Sequence, residues 1–458
     1  MCAVAYFIAV LCIFLCTPDG HMAAGMLLSN WLVGALAVFI FCRKELRGRA
    51  LSLFSWILLG YCALAVGGHI YRIAQDYEFI GSLDGFEVYL PYTEELLHMD
   101  KGLFSTIETI YTSSAYSFVG SILLLFMLAG LFSQYCQGDM LYALQLSLIG
   151  MAALVPIVVY HLFLKFDFSE KKSYRYALLF AFFTSCFYQS SFVVRDMPIT
   201  LAYTAMIYLY FDEFKWATVI KMILLLGVVA SLRMASAAFA VLFIGGYLFN
   251  NMGDSSLYKK MGGIICFLLF VAGGVLMFSD ISALFEDKIA VYGENELADQ
   301  GGASTLSMFN ILPPGISHFC KALYDQFSPY PCFRGMVSFG FRPECYNLTR
   351  WPDILSTPFR YFLLTLLIMS FVVYADVRRY IAEKRDLVMV LLIGILFLAL
   401  QSSTMGDRRK LGVYAVFFLA GMLGWEKMNS GQRKCVVLTA GLVFLSMQVL
   451  GTIVMYRI

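Results

Sequence analysis

The fold class predicted by this sequence is all-α: a polytopic membrane protein with about 13 transmembrane helices and two long extracytoplasmic loops. Three observations carry it. Of 458 residues, 60% are apolar and 14% charged, where a soluble domain carries about 25% charge, so too little charge is present to cover a water-exposed surface. Mean hydropathy is +0.76. Apolar runs of helical length recur from one end of the chain to the other, and 14 can be read. The chain 1–458 is therefore read as one integral membrane unit.

The first run, at about 2–16, lacks a basic leader and a small-residue cleavage site, so it reads as a membrane helix and not as a signal peptide. Runs at 24–42 and 51–70 follow. After a polar interval come 117–133, 141–164, 176–194, 198–211, 217–232, 234–249 and 261–278; a second polar interval precedes 358–375, 387–400, 411–425 and 435–455. A spanning helix needs about 20 residues, with about 17–25 usual, so the shorter runs are expected to be tilted, broken or re-entrant. No internal repeat and no low-complexity tract is visible.

Orientation follows from Lys and Arg. Six short stretches hold 19 of the 33 basic residues: Arg43 to Arg49, Lys165 to Arg175, Lys215 with Lys221, Lys259-Lys260, Arg378 to Arg385, and Lys427 to Lys434. The positive-inside rule makes these cytoplasmic and puts the N-terminus inside. The acidic interval 71–116 is then outside. Full crossings at both 117–133 and 141–164 would export Lys171 and Lys172. Counting one of the two as re-entrant or interfacial restores agreement and gives 13 crossings, with 14 as the alternative.

The two wet intervals, 71–116 and 279–357, fall outside in this scheme, and chemistry is expected there. Nucleic acid is excluded as a partner, because no basic tract or zinc-finger spacing occurs. No metal site is expected: the five His lack HxxxH spacing, and Glu294-Asn295-Glu296 is too common a pattern to carry one. No cofactor is implied. Nine of the 12 Cys lie in or beside apolar runs; Cys320, Cys332 and Cys345 share the second interval and allow at most one disulfide.

Some arginines fall at outer ends of apolar runs, where the positive-inside rule gives no reason for them: Arg195 beside Asp196, Arg233, and the pair Arg408-Arg409. Arg at a helix centre costs about 2.5–3.5 kcal/mol on insertion scales, and such residues are usually paired or functional. Guanidinium groups bind phosphate through bidentate hydrogen bonds, so these four are candidate ligands of a lipid-linked diphosphate. The plainer reading pairs Arg195 with Asp196 and lets Arg233 snorkel to the interface. The acidic interval mixes carboxylates with aromatic rings, as sugar binding requires. Asp84 and Glu87 are the candidate general bases; Tyr89, Tyr92 and Asp196 are candidate substrate contacts.

Several pieces together resemble the Wzy/EpsG-like polysaccharide polymerases of bacterial envelopes, relatives of the GT-C-type membrane glycosyltransferases. They are the acidic first loop with Asp84 and Tyr89, the stretch Ser190 to Pro198, Arg233, Gly301-Gly302-Ala303-Ser304, Phe327 to Phe333, and Gly406-Asp407-Arg408-Arg409. The resemblance implies an O-antigen- or capsule-type polymerase that transfers glycan repeat units between undecaprenyl-diphosphate carriers at the outer face of the bacterial inner membrane. It also implies a lipid-linked oligosaccharide as substrate, with a flippase and a chain-length regulator as partners. A transferase using a polyprenyl-phosphate sugar is the alternative within the same chemistry. A transporter or flippase of lipid-linked sugars is the alternative outside it, but transporters usually carry internal repeats.

Overall fold

The computed structural model describes residues 2–99, 102–113, 116, 119–251, 312–313, 316–317, 320, 331–337, 342–401 and 407–456. The apolar run 261–278, the Gly301–Ser304 piece and the Glu294–Glu296 pattern lie outside the described residues, as does most of the interval 279–357. Among the described residues the chain is helical, with no strand.

The helices are α1 (Cys2–Cys16), α2 (Gly20–Phe41), α3 (Arg47–Ala74), α4 (Leu90–His98), α5 (Leu103–Thr112), α6 (Ile122–Cys136), α7 (Met140–Lys165), α8 (Glu170–Phe183), α9 (Ser185–Gln189), α10 (Asp196–Tyr210), α11 (Trp216–Leu232), α12 (Met234–Asn251), α13 (Pro352–Ile368), α14 (Ala375–Ala382), α15 (Arg385–Gln401), α16 (Asp407–Lys427) and α17 (Ser430–Tyr456). Among the described residues five helical stretches are long and apolar enough to cross a bilayer: Gly20–Phe41, Lys44–Ala74, Met140–Lys165, Leu348–Val373 and Ser430–Ile453. Shorter apolar helices stand beside them. The chain is a membrane-embedded helical protein.

The interval 71–116, expected as a loop, is itself largely helical: a π-helical turn at Gly85–Tyr89 leads into α4, and α5 follows. The second interval ends earlier than its apolar pattern suggests, since α13 begins at Pro352, where proline suits a first turn. Cys320, Cys332 and Cys345 are all free thiols. The Asn347 side chain is buried and donates to the carbonyls of Pro343 and Glu344, which ties down the loop before α13.

α7 is the central helix. Asp139 caps its start by accepting from the Tyr142 N–H at 2.7 Å, and Lys165 stands in its last turn, the favourable sign at each end of the helix dipole. Helices α2, α3, α6, α8 and α10 pack around it. Lys165 also donates to Tyr208 O at 2.6 Å and to Asp212 at 2.5 Å, which levels the ends of α7 and α10. The two helices then reach unequal heights. With 26 and 15 residues they are about 39 and 22 Å long at 1.5 Å per residue, so the start of α10 lies about 17 Å short of the Asp139 end.

Sequence chemistry explains why α10 starts there. Pro198 has no N–H to donate and is tolerated in a first helical turn, while Asp196 at the first position complements the positive helix end. The apolar pattern 176–211 is therefore interrupted, and the chain passes through Val193 and Val194 without helical structure before α10 begins.

Candidate functional site

The start of α10 meets two other chain breaks. α11 ends at Leu232 and α6 begins at Ile122, and the two helices meet end to end: the Ser121 N–H donates to Ser231 O at 2.9 Å, and the two serine hydroxyls lie 2.9 Å apart. Gly120 makes this approach possible. Its φ is +82°, and a Cβ there would stand 2.3 Å from Ser231 O. The negative end of one helix thus faces the positive end of the next.

Arg195 and Arg233 sit at this junction. Arg195 is 7% exposed and donates to Leu232 O at 2.9 Å and Val119 O at 3.0 Å, so a guanidinium neutralises carbonyls at the α11 terminus and holds the 119–121 turn against it. Arg233 donates to Asp196 at 2.8 Å, with side-chain exposures of 16% and 3%. The carboxylate next to Arg195 in sequence is therefore the partner of an arginine 37 residues later.

Tyr89, 5% exposed, ends the π turn that packs against Val193, two residues before Arg195. Its phenol is held above the ordinary tyrosine value, first by desolvation; Asp196 and Asp84 push in the same direction, and Arg195 and Arg233 oppose them. The Tyr89 ring packs edge-on against Phe126 of α6, with ring centroids 5.3 Å apart. Two glycines bring that segment in. A Cβ at Gly85 would be 3.0 Å from Val193, and Gly81, with φ +91°, lies against the Phe192 ring and donates its N–H to Glu344 O at 2.9 Å.

A raised phenol pKa means that the folded state prefers the protonated form, so stability falls as pH rises past the unfolded tyrosine value of about 10. Below that pH Tyr89 stays a hydrogen-bond donor. Tyr89→Phe is expected to flatten the loss of thermal stability between about pH 9 and 11, and melting curves across that range check it. An unchanged alkaline limb would contradict the burial of this hydroxyl among charges.

The other predicted residues divide. Asp84 leads into the π turn that carries Tyr89. Glu87 is exposed and lies 4.0 Å from Arg342 of the second interval. Tyr92 packs edge-on against Tyr116, with ring centroids 5.3 Å apart. Arg408 and Arg409 fall in the first turn of α16; their side chains lie outside the described set. That helix packs along α10, with Gly412 against the Tyr203 ring, so both helices start toward the same end of the bundle.

Two features escape sequence reasoning. Arg360 lies inside the apolar run 358–375, is buried, and donates to Ser185 Oγ at 3.2 Å. Nearer the Asp139 end, His69 contacts Asp19 at 3.1 Å and stacks on Tyr142 at 3.8 Å, while Arg72 bonds Asp139 at 2.5 Å. These pairs tie the α1–α2 turn, the end of α3 and the α6–α7 turn together. His69, Arg72 and Tyr142 line a cleft that reaches Gly85 and Val193. No spacing in the sequence joins residues 19, 69, 72 and 139; a lone charge inside an apolar run is the one signal the sequence offers for Arg360. Among the described residues no group of His, Cys, Asp and Glu could hold a metal ion.

No protein-family model, curated protein or solved structure matches the chain.

Proposed function

We propose that this protein is a membrane glycosyltransferase of the polysaccharide-polymerase kind. In this reading it joins glycan repeat units carried on undecaprenyl diphosphate at the outer face of the bacterial inner membrane. The basic Lys165 end of the bundle and the N-terminus are cytoplasmic, the chain makes 13 crossings, and α6 is the segment that enters the membrane without crossing it. The observation that supports the reading is the buried Arg233–Asp196 pair beside Arg195, at a break between helices within an apolar bundle, with the turn that follows Asp84 packed on Val193 just before it.

The chemistry follows from those groups. A sugar hydroxyl of the incoming lipid-linked unit attacks the anomeric carbon of the growing chain. The new C–O bond forms as the bond to the donor diphosphate breaks, and the diphosphate leaves with the electron pair. The proton of the attacking hydroxyl passes to the Asp84 carboxylate. Arg233, with Arg408 and Arg409, neutralises the departing diphosphate. Asp196 fixes Arg233, Arg195 holds the helix junction together, and Tyr89 donates a hydrogen bond. Tyr92 and Glu87 border the acceptor sugar. A flippase delivers the units, and a chain-length regulator acts on the product.

The test is polymer formation in vesicles supplied with lipid-linked repeat units. Asp84→Asn is expected to slow chain extension about 10²–10⁴-fold, the usual contribution of a general base, while Glu87→Gln stays within about threefold of wild type because its carboxylate is solvated. Equal effects from the two would remove Asp84 from its role. Variants that stop export of lipid-linked sugar while polymer length is unchanged would mark a transporter.

A further inference from the structure

We infer that the isoprenoid chain of the lipid-linked substrate lies along the outer face of α11 and that its anionic head group enters sideways at the Ser121–Ser231 junction. The inference rests on the function proposed above, since it names where that substrate meets the lipid phase.

Ile220, Ile223, Leu224, Gly227, Val228 and Ser231 fall within about 140° of one another at 100° per residue, so they form one face of α11. The four apolar side chains among them are exposed, Leu224 by 66%, whereas Val219, Met222 and Val229 on the opposite side are buried. Ser231, at the end of the exposed face, touches Ser121. From Ser121 the outward face of α6 continues through Leu128, Leu131 and Tyr135, all exposed. The two stacked helices therefore present a continuous apolar surface interrupted by one pair of serines.

Charge complementarity identifies the occupant. Directly behind the serine pair, Arg195 holds the carbonyls of Val119 and Leu232, and Arg233 follows in the chain. An apolar strip of about 16 Å from Ile220 to Ser231 ends on guanidinium groups, which matches a molecule with an isoprenoid tail and a phosphate head. Gly227 leaves a notch in the strip: a Cβ there would meet nothing within 4 Å. The exposed faces of α2 and α17 meet basic residues only at the Lys165 end of the bundle, Arg43 and Arg47 for α2 and Arg433 and Lys434 for α17, whereas the face of α11 ends on guanidinium groups at a break inside it.

The experiment uses the full chain in nanodiscs, a radiolabelled polyprenyl diphosphate, and a photoreactive p-benzoylphenylalanine in place of Leu224 or, as control, of the equally exposed Leu442 on α17. The expected result is an adduct at position 224 that excess unlabelled polyprenyl diphosphate suppresses at least tenfold and polyprenol does not, with no such competition at position 442. Gly227→Trp starts from a Cβ that meets open space and is expected to raise KM for the lipid donor about tenfold at unchanged kcat and unchanged melting temperature. Equal, non-competed labelling at both positions, or an unchanged KM in Gly227→Trp, overturns the path. If polymer still forms and competed labelling maps to another helix, the path fails and the enzyme reading stands. If polyprenyl diphosphate competes nowhere and no polymer forms, the enzyme reading fails with it.

Discussion

Asp196→Ala is expected to destabilise the protein by about 3–5 kcal/mol, because it leaves the Arg233 guanidinium without its carboxylate in a site taken out of water. The magnitude comes from asymmetry. A buried ion pair adds little net stability over a well-packed apolar pair, yet removal of one partner leaves the full desolvation cost of the other. The double variant Asp196→Leu with Arg233→Met should therefore recover most of the lost stability. It should not recover glycosyl transfer, which separates the structural share of the pair from the chemical one. Equilibrium unfolding of the two variants and the wild type in lipid, read alongside the vesicle assay, provides the check. A loss below about 1 kcal/mol in Asp196→Ala, the range of solvated pairs, would refute the buried pairing.

Gly120→Ala should cost a comparable amount for a different reason. The left-handed backbone conformation adds about 1–3 kcal/mol of strain for a residue with a side chain, and the new methyl would press on Ser231 O, where overpacking costs about 1–3 kcal/mol more. Relief requires the end of α11 to move away from α6, which also withdraws the carbonyls that hold Arg195. Activity is expected to fall with stability. Gly67→Ala is the matched control: the site is inside α3, a Cβ there meets nothing within 4 Å, and the change should be neutral or stabilise by up to about 1 kcal/mol. Similar melting temperatures for the two variants would contradict a tight junction at Gly120.

The helix ends that carry the site are partly legible in the sequence. Pro198, two residues after Asp196, marks the start of α10, and Arg195, Arg233, Arg408 and Arg409 can be picked out as basic residues where orientation gives no reason for them. The acidic interval is recognisable by its charge, yet its helices are not, because the mixture of carboxylates, aromatics and glycine around 81–95 hides the helical period. Neighbours in sequence also mislead about partners. The step from Arg195 to Asp196 suggests only a local pair, whereas the carboxylate also binds Arg233 and Arg195 donates to the carbonyls of Val119 and Leu232. The polar group formed by Asp19, His69, Arg72 and Asp139 comes from two inter-helix turns and the end of α3, with nothing in their spacing to join them.

By itself the sequence determined that this chain is helical and belongs in a membrane, and which of its ends are basic. Those properties depend on the partition of each segment between water and lipid, which composition fixes locally. The tertiary structure alone decided that α6 and α11 meet end to end, that α10 starts about 17 Å short of the Asp139 end of α7, and which carboxylate holds which guanidinium. Helices in lipid associate through close shape fit and a few polar contacts, and no hydrophobic pattern specifies a partner. Side chains distant in the chain are therefore brought together by packing that only three dimensions record.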